Sequence, residues 1–515
     1  MRERSSGTPA ARPRIVIIGA GYAGYHCARS LGRRLPAAAA DIVIVSPTDY
    51  MPYLSLLPEV GAGIVDPRHI AVSLAATLRH ARLVPGHAID ADLANRSVTV
   101  ADPDGQRREV GWDRLVIAPG SVSRTLRLPG VLDHAKGFKN LAEALYLRDH
   151  LLAQMELADA SDDPARRREL CTFVVVGAGY TGTEVAAQGQ LFTRAALRRH
   201  PRIRADELRW LLVDQAAAIL PELGPRLGRP ALRILRRRGL DVRLETTIEE
   251  ITGRWVRLSD GTTVPTRTVV WSVGVTPGPL TQVLGLETVH GRIVVDEFLA
   301  VPGHPHIFAA GDAAAAPDLT SPGRLTPMTA QHAQRQGSAV ARNVAASLGH
   351  GTSRAYKHRD LGFVVDLGGW QAVANPLRVP LSGAAAKVVT RGYHLYALPA
   401  NRLRVATDWF NDVVEHRQFV RLGLVPPDRS GLAVAEQTDI YYRTDGQPLG
   451  HGQPLDHGRG AVAAVPTAMV EDIALIGPWA KIADELQRWR QTVLTTFSVS
   501  ADLGHLARIV DLLRR

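Results

Sequence analysis

The run Arg14-Ile15-Val16-Ile17-Ile18-Gly19-Ala20-Gly21-Tyr22-Ala23-Gly24 decides how the rest of the chain is read. Ile15 to Ile18 are four β-branched residues without a polar interruption, the signature of a strand buried on both faces of a parallel sheet. Three glycines follow at GxGxxG spacing, and a helical pattern begins at Tyr25. Each glycine has its own task. Gly19 permits the tight turn, Gly21 lets the backbone approach a pyrophosphate, and Gly24 lets the helix pack on the strand. The unpaired N–H groups that open such a helix then face the phosphates. A second unit of the same design, Thr172-Phe-Val-Val-Val-Gly177-Ala-Gly179-Tyr-Thr-Gly182-Thr-Glu184, lies further along. Two independent fingerprints in one chain predict two dinucleotide sites on an α/β scaffold.

The bulk properties narrow the class. A chain of 515 residues is too long for one core, and roughly three domains are expected. A net charge of +11 points to an anionic surface, lipid headgroups or nucleic acid. Nucleic acid is disfavoured because the chain carries no basic–aromatic or zinc-finger pattern. The two cysteines, Cys27 and Cys171, lie far apart, which excludes a disulfide framework and a dithiol pair. Residues 1–13 are polar and Pro-rich, and a disordered N-terminus is expected there. No run of about 18 apolar residues predicts a spanning helix. The apolar stretch Ala461 to Trp479 is broken by Pro466, Glu471 and Asp472. A cytoplasmic protein, or one held on a membrane surface, is the expectation.

Between and beyond the glycine loops, strand and turn signals alternate. Asp41-Ile42-Val43-Ile44-Val45 reads as the second parallel strand. A dinucleotide fold ordinarily ends this strand on an acid that holds the ribose hydroxyls. Ser46 stands there instead, with Asp49 as the nearby substitute. Thr48 to Gly63 (TDYMPYLSLLPEVGAG) is apolar and proline-interrupted, too irregular for a clean element; it is either a buried connection or a loop lining an apolar pocket. Trp112 to Ile117 gives a strand that enters the small-residue turn Ala118-Pro119-Gly120-Ser121, which brings backbone N–H groups close to a ligand. In the second unit, Leu211-Leu212-Val213 ends on Asp214, the acid the ribose rule asks for. A carboxylate there repels a 2′-phosphate, so NAD(H) is preferred over NADP(H). Arg236-Arg237-Arg238 before Gly239 reads as a solvated helix end. Val269 to Gly274 is another strand and turn, and Ile307 to Ala310 stops at Gly311-Asp312. That acid either caps the next helix or bonds a cofactor hydroxyl. In Pro327 to Gly337 (PMTAQHAQRQG), Gln331 and Arg335 fall four apart and share a helix face.

The order of these features resembles the two-dinucleotide-binding-domain flavoproteins: a flavin fingerprint, an ATG-like turn at Ala118-Pro119-Gly120, a nicotinamide fingerprint, and a late Gly311-Asp312. Within them, Val174 to Gln188 (VVVGAGYTGTEVAAQ), Val270 to Pro277 (VWSVGVTP) and Ala330 to Gly337 (AQHAQRQG) are similar to type II NADH dehydrogenases, the single-subunit NADH:quinone oxidoreductases. The similarity covers about residues 14–425. Thiol-based relatives and sulfide:quinone oxidoreductases need paired cysteines near the flavin, which this chain lacks.

The resemblance implies two Rossmann-like domains, an FAD domain over 14–140 and 295–345 and an NADH domain over 165–295. A membrane-interface region over 350–425 and a linker with an amphipathic helical extension over 426–515 complete the expected order. Hydride would pass from NADH to FAD and electrons on to a membrane quinone, menaquinone or ubiquinone, without proton pumping. Gly19, Gly21 and Gly24 match the FAD loop, with Ser46, Ala118, Gly120, Gly274, Gly311 and Asp312 as further cofactor positions. Gly177, Gly179, Gly182 and Asp214 match the NADH loop and its ribose acid. Glu184 matches a family glutamate near nicotinamide and quinone; its plainer reading is a first-turn acid favoured by the helix dipole. The family's quinone motif AQxAxQ aligns with Ala330 to Arg335, so Gln331 is kept and Arg335 replaces the second glutamine. No metal is implied. Ala384 to Phe410 mixes aromatic residues with Lys387, Arg391, Arg402 and Arg404, a pattern suited to an anionic lipid–water interface or, alternatively, a homodimer contact. A peripheral enzyme on the cytoplasmic face of the membrane is the resulting expectation. A same-fold reductase with a soluble acceptor and a nucleotide-binding sensor are the alternatives.

Overall fold

The computed structural model describes residues 12–415. The expected linker and amphipathic helical extension over 426–515 lie outside the described residues, as does nearly all of the expected N-terminal tail.

Two sheets carry the architecture. The first places its strands in the order Ala300–Val301, His304–Ala309, Arg114–Ile117, Arg14–Ile18, Asp41–Ser46 and Ala81–Pro85. All neighbours are parallel except the first pair. The second is all parallel, in the order Ala135–Gly137, Thr268–Trp271, Thr172–Val176, Arg209–Val213, Asp241–Arg243. In each, the strand before the glycine loop lies in the interior, so its β-branched residues are enclosed on both faces. Successive residues of Phe173-Val174-Val175-Val176 serve different layers. Phe173 and Val175 join the main core, while Val174 and Val176 join a smaller one with Leu211, Val213 and Trp271.

The chain leaves the first sheet after Arg114–Ile117, builds the second, and returns with His304–Ala309. The first sheet is thus drawn from two separated stretches of chain. Ala135–Gly137 pair with Val269 to Trp271, so the second sheet claims residues placed before 140 in the first domain. Helix Tyr22–Arg34 begins at the glycine loop itself, before Tyr25. It packs against helix Ala330–Ser347 so closely that a Cβ on Gly337 would lie 2.2 Å from the Ala23 carbonyl. Thr48 to Gly63 is more ordered than its prolines suggested. It forms strand Tyr50–Pro52, a 3-10 turn Leu54–Leu56 and helix Leu57–Gly61, with Pro58 at the helix start where its missing N–H costs nothing.

The region after 350 forms a small antiparallel sheet, Val364–Asp366, Ala372–Ala374 and Leu381–Ser382, and helices Ala384–Ala397 and Arg402–Glu415. Arg238, expected to be solvated, is drawn inward here. Its guanidinium donates to the carbonyls of Ala187 and Leu367 and, at 3.2 Å, to Gln190 Oε1, tying the small sheet to the second domain. Among the described residues no helix is long and apolar enough to cross a membrane.

Candidate active site

The two glycine loops are built alike. Gly19 has φ +95° and Gly177 φ +102°, and a Cβ on either would strike a backbone carbonyl, that of Ala118 at 2.2 Å or that of Ser272 at 2.4 Å. Gly24 and Gly182 lie so close to their own turns that a Cβ would meet the Gly19 or the Gly177 carbonyl at 1.8 Å. The middle glycines differ from both. A Cβ on Gly21 or Gly179 meets nothing within 4 Å. Each is the N-cap of its helix, and no side chain caps either one. Both helices therefore present unpaired N–H groups and positive dipole ends to open space, which fits a pyrophosphate at each.

The other positions expected to hold cofactor lie around these loops. Gly120 and Gly274, both at positive φ, flank a two-stranded ribbon in which Ser121 faces Pro277. Gly278 N donates to Gly120 O at 3.0 Å, and Arg124 N to Gly274 O at 3.0 Å. Ser121 Oγ donates to Asp312 Oδ2 at 2.5 Å, so the ATG-like turn and the Gly-Asp motif meet in space. Gln336, which sequence reading passed over, accepts from Gly311 N at 2.7 Å and fixes that turn. Asp214 ends strand Arg209–Val213, and its carboxylate accepts from Ala178 N at 2.5 Å and Ala216 N at 2.7 Å. It is thus locked against the second glycine loop. Ser46 is buried at the end of its strand, and its Oγ accepts from Thr48 N at 3.2 Å. Asp49 is exposed beyond it.

Glu184 lies in the first part of helix Tyr180–Ala196, and its Oε1 accepts from Asp366 N at 2.8 Å. Burial raises its pKa well above the ordinary carboxyl value; the Asp366 N–H opposes this, and the charges of Asp366 and Glu59 add to it. The plain first-turn reading does not account for these partners. Two acids that sequence reading missed, and a lysine it assigned elsewhere, surround it. Glu59 is 2% exposed and accepts a hydrogen bond from the Trp409 indole. Burial, reinforced by Asp366, lifts it to about 8. Asp366 pairs with Lys387, both buried. Lys387 is therefore a buried counter-ion and not an interfacial cation as its sequence setting suggested. Arg391 likewise turns inward, its guanidinium 4.7 Å from the centre of the Trp409 ring.

Gln331 and Arg335 do share a face: Arg335 Nη1 donates to Gln331 Oε1 at 3.2 Å. Gln331 Nε2 donates to Gly362 O at 2.8 Å, so both ends of the amide are engaged. His358 lies within 3.2 Å of Arg335 and stacks on His332 with ring centres 3.7 Å apart. One segment joins the two groups. Gly362 contacts Gln331, Phe363 stacks on Tyr180, and Asp366 N reaches Glu184. On the other side Tyr22, Tyr53 and His394 form an edge-packed aromatic row, with His394 Nδ1 3.2 Å from Tyr53 Oη. Burial holds His394 down at about 4, so its ring is neutral at pH 7. Cys27 and Cys171 are buried, with burial raising both thiols, so no thiolate serves the site.

Two mainly parallel sheets, each with an uncapped glycine loop, define a two-dinucleotide oxidoreductase, and residues 13–337 match the pyridine nucleotide-disulphide oxidoreductase family. The chain is 31% identical over 425 residues to the type II NADH:quinone oxidoreductase Ndh of Mycobacterium tuberculosis, covering 79% of this chain and 89% of that protein. It is 31% identical to the demethylphylloquinone reductase NdbB of Synechocystis over 78% of this chain and 96% of that one. The solved structure of NDH2 from Plasmodium falciparum in complex with NADH superposes with a TM-score of 0.73 at 16% identity, covering 79% of this chain and all (100%) of that chain, a likeness of fold. The chain belongs to the type II NADH:quinone oxidoreductase family.

Proposed function

We propose that this protein oxidises NADH and reduces a membrane quinone, menaquinone or ubiquinone, from a peripheral position on the cytoplasmic face of the membrane. The observation that carries the reading is the pair of open, uncapped glycine loops on separate sheets, with Glu184 in the helix that follows the second and buried Glu59 near it. Bound at the first loop, FAD would supply the hydride acceptor and electron donor that the side chains lack. Gly21 and Gly179 would hold the two pyrophosphates, Asp312 a flavin-side hydroxyl or ring atom, and Asp214 the NADH ribose. Burial raises the Glu184 carboxyl well above the ordinary range, which suits it to donate a proton to a reduced acceptor. Arg335 and Gln331 would orient the acceptor, with the Tyr22–Tyr53–His394 row forming an apolar wall.

Val388, Tyr396, Leu403 and Phe410 are exposed on the two late helices beside Arg402 and Arg404, which suits an anionic lipid surface. Pairing of two copies through the same face is the competing use. One observation favours a soluble acceptor as the second reading: the Gln331 amide is already engaged at both ends.

An anaerobic absorbance trace tests both. NADH should bleach the flavin band and a menaquinone analogue should restore it. Bleaching without recovery would replace the quinone by a soluble acceptor, and the absence of any flavin band would end the proposal.

A further inference from the structure

The second domain carries another concavity, away from its glycine loop. The loop follows the carboxyl end of Thr172–Val176, whereas this cavity lies beside edge strand Ala135–Gly137 and the amino end of Thr268–Trp271. Its volume is about 230 Å³, and its walls include His134, Lys136, Tyr146, His150, Gln154 and Arg267, with no carboxylate among the lining residues. Tyr146, His150 and Gln154 are four apart along helix Leu141–Asp159 and so form one polar stripe facing the edge strand.

Two groups in this wall lack what burial normally demands. Lys136 is half-buried with its Nζ 5.4 Å from the centre of the Tyr146 ring, and among the described residues no carboxylate pairs with it. Burial accordingly lowers its pKa with no acid opposing the shift. Gln154 is only 8% exposed, and its Oε1 has no hydrogen-bond partner among the described residues. A half-buried cation without a carboxylate and a buried amide oxygen without a donor each cost free energy. The rest of the wall is satisfied. Tyr146 stacks on His150 at 5.6 Å, His150 Nε2 lies 2.9 Å from Thr268 Oγ1, and Arg267 Nε donates to Glu169 at 2.7 Å.

One ligand class answers the uncompensated cation. We propose that this cavity binds a phosphate-class oxyanion, held by the Lys136 ammonium and by the Gln154 amide, with Arg267 adding positive potential at the rim. Of the Gln154 amide, Nε2 is the donor that would meet the anion. The anion comes either from inorganic phosphate or from the phosphate end of a small metabolite. The site is independent of the redox proposal, since it shares no residue with either glycine loop.

Calorimetric titration of the full-length, flavin-loaded protein with inorganic phosphate and with glycerol phosphate tests it, with NAD+ present at saturation to occupy the dinucleotide site. Saturable single-site binding of at least one probe is expected, and the tighter probe identifies the source. Lys136→Gln should weaken binding about tenfold or more, the loss of one charged contact, while Lys136→Arg retains it. Gln154→Leu, which keeps the volume without the amide, should weaken it severalfold and carries the test should Lys136→Gln fail to fold. No saturable binding of either probe, or equal binding by Lys136→Gln and the parent protein, overturns the proposal.

Discussion

Glu184, Glu59 and Asp214 are carboxyl groups of one chemistry set to different tasks by their surroundings. Glu184 is raised by burial and by two neighbouring acids, which suits it to supply a proton to an acceptor. Glu184→Ala is expected to lower quinone reduction by about 10²- to 10⁴-fold, the usual scale of a lost acid–base group, with FAD still bound. Stopped-flow traces should show NADH bleaching the flavin as before while reoxidation slows; unchanged reoxidation would return Glu184 to a helix-start role. Glu59 has a stability consequence with a definite sign. Its folded pKa is about 8 against an ordinary 4.5, so the unfolded chain releases the proton first as pH rises. Its contribution to folding stability is therefore present below about 4.5 and is lost progressively up to about 8. Denaturant titrations at either end of that window should show a fall in stability that Glu59→Gln makes shallower. Asp214 is locked onto the glycine loop by two N–H donors. Asp214→Asn keeps the shape and removes the charge, and should raise turnover with NADPH relative to NADH.

Each fingerprint divides its glycines between packing and ligand, and substitution separates the two. At Gly182 a Cβ would lie 1.8 Å from the Gly177 carbonyl, so Gly182→Ala must push helix from strand and should lower the melting temperature. The Cβ at Gly179 meets nothing, so Gly179→Val should leave the melting temperature nearly unchanged and raise KM for NADH steeply. If both variants lost stability equally, the open space above Gly179 would not be the pyrophosphate site. The irregular-looking stretch 48–63 shows how an element can hide from pattern reading. Helix Leu57–Gly61 is five residues long and wholly buried, so it has no polar face to set a period.

Across the whole molecule, the two late helices divide their residues in a way no local pattern records. Lys387, Thr390, His394, Asp408 and Trp409 face inward, the last two reaching His69 and Glu59 across the chain. Val388, Tyr396, Leu403 and Phe410 stay outside. The double variant Leu403→Glu, Phe410→Glu is expected to lose cosedimentation with anionic vesicles while NADH oxidation with ferricyanide is retained. Retained cosedimentation would move the membrane contact elsewhere.

The local signals of this chain were strong where physics is local. Four β-branched residues before GxGxxG determine strand, turn and helix start from neighbouring sterics alone, and this happens twice, so fold class and both dinucleotide loops were legible at once. The helix period likewise put Gln331 and Arg335 on one face. What no short-range rule contains is which distant groups share a low-dielectric interior. Glu59 looked like an acid in an apolar loop, Lys387 like an interfacial cation, and Asp366 like nothing in particular. Tertiary packing brought the three to Glu184 from helix, sheet and late helix. Burial, which is a property of the assembled molecule and not of any one stretch, is what raised the Glu184 and Glu59 carboxyls beside the Asp366–Lys387 pair.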